Sequence, residues 1–293
     1  AEIACKAAKD QGKDRIEVFA EDNTTLVRRS EEIEWIGRVQ EALRQDQFVL
    51  FCQPVVPLQD SADPPHFEIL LRLLDDDGNL IPPINFLPAA ERYQLMPMVD
   101  RWVIHNSMKA LGECWKKLAD DTSVFCINLS GQSFANPGFQ AFVIDEIRAS
   151  GVPPHNICFE VTETVAISHI DDAVNFMTAL SRFGCSFSLD DFGAGLSSFG
   201  YLKVLPVHYL KIDGSFVREI TADNVSRSMV EAINQIGKTM GLLIVAEFVG
   251  DDETQDILRS IGVDYAQGYG VGKPEPLDGI LSSLHRGADA ETA

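Results

Sequence analysis

Two patterns of hydrophobic and polar positions alternate along most of the chain. Short apolar runs end in a polar or glycine-containing stop, and each is followed by a longer segment with helical spacing of its apolar positions. This alternation predicts a β/α fold with a mostly parallel sheet. The predicted strands are residues 48–56, 67–73, 124–129, 157–161, 187–190, 209–212, 243–246 and 265–267. Because eight is the strand number of the TIM barrel, we predict an α/β fold, a TIM-barrel-like (β/α)8.

Helical patterns lie between most of these strands, at residues 85–93, 99–118, 139–149, 172–183, 224–240 and 253–260. The first two strands are separated by only about ten residues, too few for a helical crossover, so one strand of the barrel should be antiparallel. Apolar positions 33, 36, 39 and 43 keep helical spacing among charges and predict a linker helix over residues 27–46. Residues 286–293 form a polar tail that we expect to be frayed.

The charge balance is strongly acidic, with a formal net charge of −20 over 293 residues. Such a field disfavours long nucleic acid and anionic membrane surfaces, so a phosphate-containing substrate would need local cations. No apolar run is long enough to span a membrane and no leader pattern opens the chain, so we expect a cytoplasmic domain without membrane contact. The six cysteines form no Cys-x-x-Cys pair and are interpreted as reduced core residues.

Polar side chains stand at the ends of the predicted strands, where a parallel barrel brings them to one mouth. They are Glu68, Asn128, Glu160, Asp190 with Asp191, Lys211, Glu247 and Gln267. Nearly all are oxygen donors and none is histidine, which favours Mg²⁺ or Mn²⁺ over zinc or copper. A lysine inside an apolar strand would be costly unless acids surround it. The set therefore predicts a hard-metal site at the barrel mouth.

Each of these residues also has a purely structural interpretation. Asp190 and Asp191 could form a solvated turn, and Glu160 and Glu163 could flank a helix start. Asn128 could belong to a turn, and Lys211 could form a structural ion pair. For any single residue this interpretation is the stronger one. The occurrence of the same chemistry at successive strand ends favours a functional site.

Six sequence blocks from about Gln47 to Pro274 resemble the EAL domain, the cyclic di-GMP phosphodiesterase family. Residues 67–72 (FEILLR) stand at the position of the E-A-L-L-R motif. The other blocks are residues 126–130 (CINLS), 159–163 (FEVTE), 189–195 (LDDFGAG), 210–213 (LKID) and 266–269 (AQGY). The resemblance implies that residues 47–285 form an EAL barrel.

The resemblance also implies individual roles. Two Mg²⁺ or Mn²⁺ ions would be held by Glu68, Asn128, Glu160, Asp190, Asp191 and Glu247. Glu68, Lys211 and Glu247 would be catalytic, the last two by positioning the metals and the attacking water. Arg72 would hold a phosphate, Gln53 would lie at the base-binding edge with Gln267 nearby, and Glu163 would brace the loop after Asp191.

One position departs from the family pattern. The family commonly reads A-E-G-V-E where residues 246–250 read AEFVG, so Gly250 replaces the second glutamate. Loss of this carboxylate could weaken metal or substrate placement. Alternatively, Asp251 or Asp252 could supply the charge, or the backbone at Gly250 could require glycine.

The function implied is hydrolysis of cyclic di-GMP to linear pGpG by a two-metal mechanism in bacterial signalling. The alternative is a weak or inactive EAL domain that acts as a cyclic di-GMP receptor. A third interpretation, a metal-dependent barrel acting on another phosphate or sugar, would rest on the fold alone.

We expect a homodimer. Residues 1–26 resemble the closing helix and strand of a GGDEF domain, which implies a tandem GGDEF–EAL protein that could be membrane-anchored as a whole.

Overall fold

The structure, a computed structural model, describes residues 24–59, 64–115, 122–195 and 199–291. The predicted GGDEF remnant lies outside these ranges except for residues 24–26. The chain divides into two compact units. The larger comprises Leu50–Leu70 and Asp100–Ala293, and the smaller comprises Leu71–Val99 together with the chain up to Val49.

All eight predicted strands are present, with ends shifted by at most two residues. They are β1 (Phe48–Pro57), β2 (His66–Leu74), β4 (Val124–Asn128), β5 (Ile157–Thr162), β6 (Ser186–Phe192), β7 (Tyr209–Ile212), β8 (Leu243–Ala246) and β9 (Tyr265–Gln267). Two further strands, β3 (Leu80–Ile81) and β10 (Glu275–Pro276), were not predicted, because two residues carry no recognisable period.

The larger unit is built on a closed barrel. Strands β2, β4, β5, β6, β7, β8 and β9 follow one another in parallel pairs. Strand β1 runs antiparallel to β9, with Val55 opposite Gln267, and also pairs with β2, which closes the ring. The predicted TIM-barrel-like (β/α)8 fold with one antiparallel strand is confirmed. The carboxyl ends of the parallel strands therefore share one mouth.

The barrel interior below this mouth is filled by side chains. Val124, Cys126 and Cys158 form one buried cluster, against which Tyr209 packs. The ring of His66 stacks on that of Tyr265, with centroids 4.5 Å apart. The interior is thus a packed core, and a ligand would enter from the mouth.

The cysteines behave as predicted within the described residues. Cys52, Cys126, Cys158 and Cys185 are buried, Cys114 is half-buried, and none of these five forms a disulfide bond. Burial raises the pKa of the Cys185 thiol to about 12, so its thiolate is scarce at neutral pH. These cysteines are core residues.

The helices of the described chain include the predicted ones and several short ones. They are α1 (Thr24–Gln45), α2 (Leu87–Arg92), α3 (Met96–Trp115), α4 (Gly131–Phe134), α5 (Phe139–Ser150), α6 (Glu163–Ser168), α7 (Ile170–Phe183), α8 (Gly214–Arg218), α9 (Asn224–Thr239), α10 (Asp252–Ile261) and α11 (Leu277–Glu291). Helices α4, α6 and α8 are too short to show a helical period in the sequence. None of the helices in these ranges has the length and apolarity needed to cross a membrane.

The C-terminal segment corrects one expectation. Helix α11 continues to Glu291, through most of the residues predicted to be a frayed tail. Leu277 and Leu281 are both buried and lie one helical turn apart, so the start of this helix is anchored in the larger unit. The helical pattern then continues through the polar residues that follow.

The smaller unit contains the predicted linker helix as α1, with Val39 and Ala42 fully buried on one face. Arg92 in α2 forms an ion pair with Glu32, with Nη1 and Oε1 2.8 Å apart. Strands β2 and β3 form an antiparallel hairpin in which Leu73 faces Ile81. The helix is confirmed, and its role as a linker stays a prediction.

Candidate active site

The centre of the barrel mouth is Lys211, whose side chain β7 carries into the interior. Its Nζ lies 2.8 Å from Glu247 Oε1, 3.0 Å from Glu160 Oε2, 3.2 Å from Asp190 Oδ1 and 3.6 Å from Glu68 Oε2. Burial alone would lower the Lys211 pKa, but these carboxylates raise it well above its usual value. The parallel barrel thus brings together acids that are far apart in sequence.

A bulge in β6 delivers two adjacent acids to the same site. Between Leu189 and Phe192 the register with β7 shifts, because β6 spans one residue more than its partner. Leu189 and Phe192 are both buried, and Asp190 and Asp191 lie between them. Asp191 has a φ of 54°, a left-handed conformation that aspartate adopts more readily than most residues. Regular alternation would have placed the two acids on opposite faces.

The acids of the site fit a hard divalent cation. Asp190, Asp191 and Glu247 each place a carboxylate oxygen within 4.8 Å of the others. Burial raises the pKa of Glu247 to about 8 and that of Glu160 well above its usual value, and burial with the neighbouring Asp190 raises that of Asp191. These shifts show that Lys211 alone does not balance the negative charge. The all-oxygen donor set suits Mg²⁺ or Mn²⁺.

Two amides extend the site from Glu68. Asn128 Nδ2 donates to Glu68 Oε1 at 2.7 Å, and Gln267 Nε2 donates to Glu68 Oε2 and, at 3.3 Å, to Gln53 Oε1. Burial would raise the Glu68 pKa, but Lys211 and these donors lower it, so Glu68 is held ionised. The buried Oε1 of Gln267 has no hydrogen-bond partner in the described structure. It is available to accept a hydrogen bond from a ligand.

A buried aspartate supports the turn that follows Asn128. Asp100 Oδ2 accepts hydrogen bonds from the backbone N–H of Ser130 at 3.1 Å and from the hydroxyls of Ser130 and Ser133, both at 2.6 Å. Burial raises the Asp100 pKa to about 6, although these donors oppose the shift. Asp100 was not predicted, because its partners lie about thirty residues away in sequence.

Glu163 connects the start of α6 to the segment after Asp191. Its Oε2 accepts the backbone N–H of Gly193 at 3.0 Å, and its Oε1 accepts the hydroxyl of Tyr201. Gly193 has a φ of 95°, and a Cβ there would lie 3.0 Å from the Phe216 ring. These contacts join Glu163 to the segment after Asp191, and its loop-stabilising role stays a prediction. Tyr201 was not predicted, since no spacing in the sequence points to it.

The mouth opens into a cleft of about 560 Å³. Its lining includes six predicted site residues, Gln53, Glu68, Asp190, Asp191, Glu247 and Gln267, and further residues that were not predicted, namely Leu70, Arg218, Phe248, Val249, Gly250, Gly268 and Tyr269. Asn128, Glu160 and Lys211 join the site through the contacts given above.

Arg72 belongs to the smaller unit, where its Nη1 donates to Leu71 O at 2.8 Å. Its role as a phosphate ligand stays a prediction.

A family model described as "EAL domain" matches residues 36–274. The chain belongs to the EAL domain family. The sequence is 36% identical over 280 residues to the cyclic di-GMP phosphodiesterase PdeB of Shewanella oneidensis, covering 94% of this chain and 32% of PdeB. The chain thus spans about a third of the length of the curated relatives it matches.

Solved EAL structures share the fold. The FimX EAL domain of Pseudomonas aeruginosa, bound to c-di-GMP, aligns with a TM-score of 0.76 at 30% identity and covers 83% of this chain and 96% of that one. The PaMucR phosphodiesterase, in complex with c-di-GMP, aligns with a TM-score of 0.78 at 32% identity and covers 84% and 99%. The resemblance stated from the sequence blocks is confirmed.

The family departure at Gly250 lies in the cleft itself. Gly250 is not in the left-handed region, and a Cβ built on it meets no atom within 4 Å. Asp251 is engaged as the N-cap of α10, where it accepts the backbone N–H of Thr254 at 2.8 Å. The backbone therefore does not require glycine here, and Asp251 has a structural role of its own.

Proposed function

We propose that this EAL domain hydrolyses one phosphodiester bond of cyclic di-GMP to give linear pGpG. The observation that carries the proposal is the buried Lys211, whose ammonium contacts four carboxylates, three from β2, β5 and β6 and one from the residue after β8. The similarity to proteins named cyclic di-GMP phosphodiesterases supports the choice of substrate.

Two Mg²⁺ or Mn²⁺ ions would be held by the oxygen donors of the mouth, which are Glu68, Asn128, Glu160, Asp190, Asp191 and Glu247. When bound, such ions neutralise charge on phosphoryl oxygens and acidify water. The raised pKa values of Glu160, Asp191 and Glu247 support this assignment, because added positive charge would let these carboxylates ionise together.

Lys211 keeps the ligand carboxylates in position. An ammonium has three N–H donors, and three carboxylate oxygens lie within 3.2 Å of Nζ, those of Glu247, Glu160 and Asp190. All three donors are therefore used within the protein. The predicted role of Lys211 in orienting a water would require one of these contacts to open.

The substrate would occupy the cleft above these groups. Gln53 lines it and is fixed by donating from Nε2 to Gly272 O at 2.9 Å. The unpartnered Oε1 of Gln267 can accept an N–H from a guanine, and Arg72 is proposed to hold a phosphate. Glu163 would keep the loop after Asp191 in place during turnover.

The alternative proposal is a receptor that binds cyclic di-GMP with little turnover. It is favoured by one observation, the replacement of the family's second carboxylate by Gly250 in the cleft lining. A homodimer and an upstream GGDEF domain are further proposals that rest on the family resemblance. A cytoplasmic location is a proposal that rests on the hydrophobic pattern of the sequence.

Chromatography of the products from cyclic di-GMP separates the two proposals. Wild-type protein with Mg²⁺ or Mn²⁺ should form pGpG, and EDTA should stop the reaction. Glu160→Gln, which removes a buried ligand charge, should be inactive, whereas the surface control Glu231→Gln should match the wild type. Binding without product under all metal conditions would establish the receptor.

A further inference from the structure

The cleft contains a cation that the proposed chemistry does not use. Arg218, the last residue of α8, lines the cleft and places its guanidinium carbon 3.9 Å from the centroid of the Phe248 ring. Within the described residues its side chain forms no hydrogen bond or ion pair, unlike the exposed Arg227 and Arg259, which contact carboxylates. Its N–H groups are therefore available to a ligand.

Phe248, whose ring contacts this guanidinium, has an unusual backbone conformation. Its φ is 54°, in the left-handed region that bulky residues rarely adopt, and the residue is 54% exposed. A Cβ on Gly214 would lie 2.0 Å from Phe248 Cδ2, so the ring rests directly on the helix backbone. Gly214 and Arg218 are one turn apart on the same face of α8. The ring thus contacts both this backbone and the guanidinium, and it restricts where the guanidinium of Arg218 can lie.

The lining of the cleft combines two kinds of chemistry. Asp190, Asp191 and Glu247 supply the acids expected to hold the metals, which would in turn bind the reacting phosphate. Phe248 and Tyr269 supply exposed aromatic rings, 54% and 70% accessible, beside the guanidinium. Flat rings offer stacking surfaces for a nucleobase. A planar guanidinium can donate two parallel N–H bonds to the O6 and N7 atoms of guanine.

We infer that Arg218, oriented by Phe248, recognises the O6 and N7 edge of a guanine and determines base specificity in this cleft. The inference rests on the proposed function and adds a residue to it. Lysine also binds phosphate, as a point charge, so a contact to phosphate does not require arginine. Contact with an aromatic ring restricts the orientation of the planar guanidinium, and recognition of a base edge requires such a defined orientation.

The test compares Arg218→Lys and Arg218→Ala with the wild type on two substrates in the same Mn²⁺ buffer. One substrate is cyclic di-GMP, and the other is bis(p-nitrophenyl) phosphate, a phosphodiester without a base. A bidentate arginine–guanine contact corresponds to roughly a five- to 150-fold difference in affinity. Both variants should therefore raise KM for cyclic di-GMP about tenfold or more, with kcat changed less than about threefold. Their kcat/KM for bis(p-nitrophenyl) phosphate should stay within about twofold of the wild type.

Two further variants sharpen the result. Phe248→Leu removes the ring under the guanidinium and should raise KM for cyclic di-GMP less than Arg218→Ala does, with the same kcat. Arg227→Ala, an exposed arginine outside the cleft lining, is the matched control and should change neither parameter. Thermal melting of every variant separates loss of recognition from loss of folding.

Three outcomes with an active wild type would overturn the inference alone. If Arg218→Lys keeps the wild-type KM for cyclic di-GMP, a point charge is sufficient at this position, as it is for binding a phosphate. Equal losses of kcat/KM on both substrates would show that Arg218 contacts the phosphodiester group and not the base. Unchanged kinetics in both Arg218 variants would show that Arg218 has no role in substrate recognition. A wild-type protein that neither binds nor hydrolyses cyclic di-GMP would overturn the proposed function and the inference together, whereas an active wild type with unaffected variants would overturn the inference alone.

Discussion

Replacement of Lys211 by methionine removes the cation that holds the carboxylates of the mouth. The ammonium lies 2.8–3.6 Å from four carboxylates, and the side chains of Lys211 and Glu160 are both only 2% exposed. Removal of one partner from such a buried ion pair costs about 3–5 kcal/mol. Since a domain is stable by about 5–15 kcal/mol, we expect the variant to fold, with a melting temperature lower by on the order of 10 °C without metal.

The kinetic effect should fall on kcat. Lys211 contacts the carboxylates and is not among the residues that line the cleft, so substrate binding should persist. Loss of a group that positions the reacting site reduces the rate by roughly 10²–10⁴-fold, and KM should change less than about threefold. Steady-state chromatography at saturating Mg²⁺ measures both parameters, and thermal melting of metal-free protein measures the stability.

Lys238→Met is the matched control. Lys238 is 40% exposed and contacts a single carboxylate, that of Asp264, so its loss should cost less than about 1 kcal/mol and leave the kinetics unchanged. An increase in KM alone for Lys211→Met would make Lys211 a substrate-binding cation. An unchanged melting temperature would show that it does not balance the carboxylates.

Four further predictions address the metal site and its support. Glu68→Ala should abolish turnover without unfolding the barrel, and near wild-type hydrolysis at saturating Mg²⁺ would refute its role. Ca²⁺ should support binding of cyclic di-GMP without hydrolysis, because its longer, looser coordination misplaces the reacting groups; rapid product formation in Ca²⁺ alone would contradict this. Gly250→Glu meets no steric barrier and should lower the Mg²⁺ concentration for half-maximal rate, whereas an unchanged titration would mean that the carboxylate is dispensable. Asp100 has a folded-state pKa of about 6, above its unfolded value, so its contribution to stability is complete at low pH and is lost as pH rises through about 6. Urea unfolding of Asp100→Asn should therefore show a gain over wild type of about 2 kcal/mol between pH 4 and 7, and parallel pH curves would refute it.

The sequence alone predicted the convergence at the mouth because a parallel barrel leaves little freedom. Once β5 and β7 are parallel strands of one barrel, with β6 between them, Glu160 and Lys211 near their carboxyl ends must face the same mouth. The barrel topology alone does not place Asp191 in the site. Strict alternation would turn it away from Asp190, and only the bulge in β6 brings the two acids together. Its position beside Asp190 at the strand end placed it in the predicted site, and the family resemblance implied its role as a metal ligand.

The residues that were not predicted depend on backbone geometry. Phe248 reaches Arg218 only through its left-handed backbone conformation, and α8 is too short to give a periodic signal. Tyr201 reaches Glu163 across thirty-eight residues of chain. Such contacts need a fixed fold before they can be inferred. They are also the contacts in which this chain can differ from its relatives.

The most direct test of the two-metal account is a Mn²⁺ titration of metal-free protein, with bound Mn²⁺ measured by electron paramagnetic resonance and pGpG formation measured in the same samples. We predict two ions per chain, a rate that follows occupancy of the second ion, and loss of both signals in Asp190→Asn. Hydrolysis at full rate with fewer than two ions bound, or two ions bound by Asp190→Asn with an unchanged rate, would contradict the account.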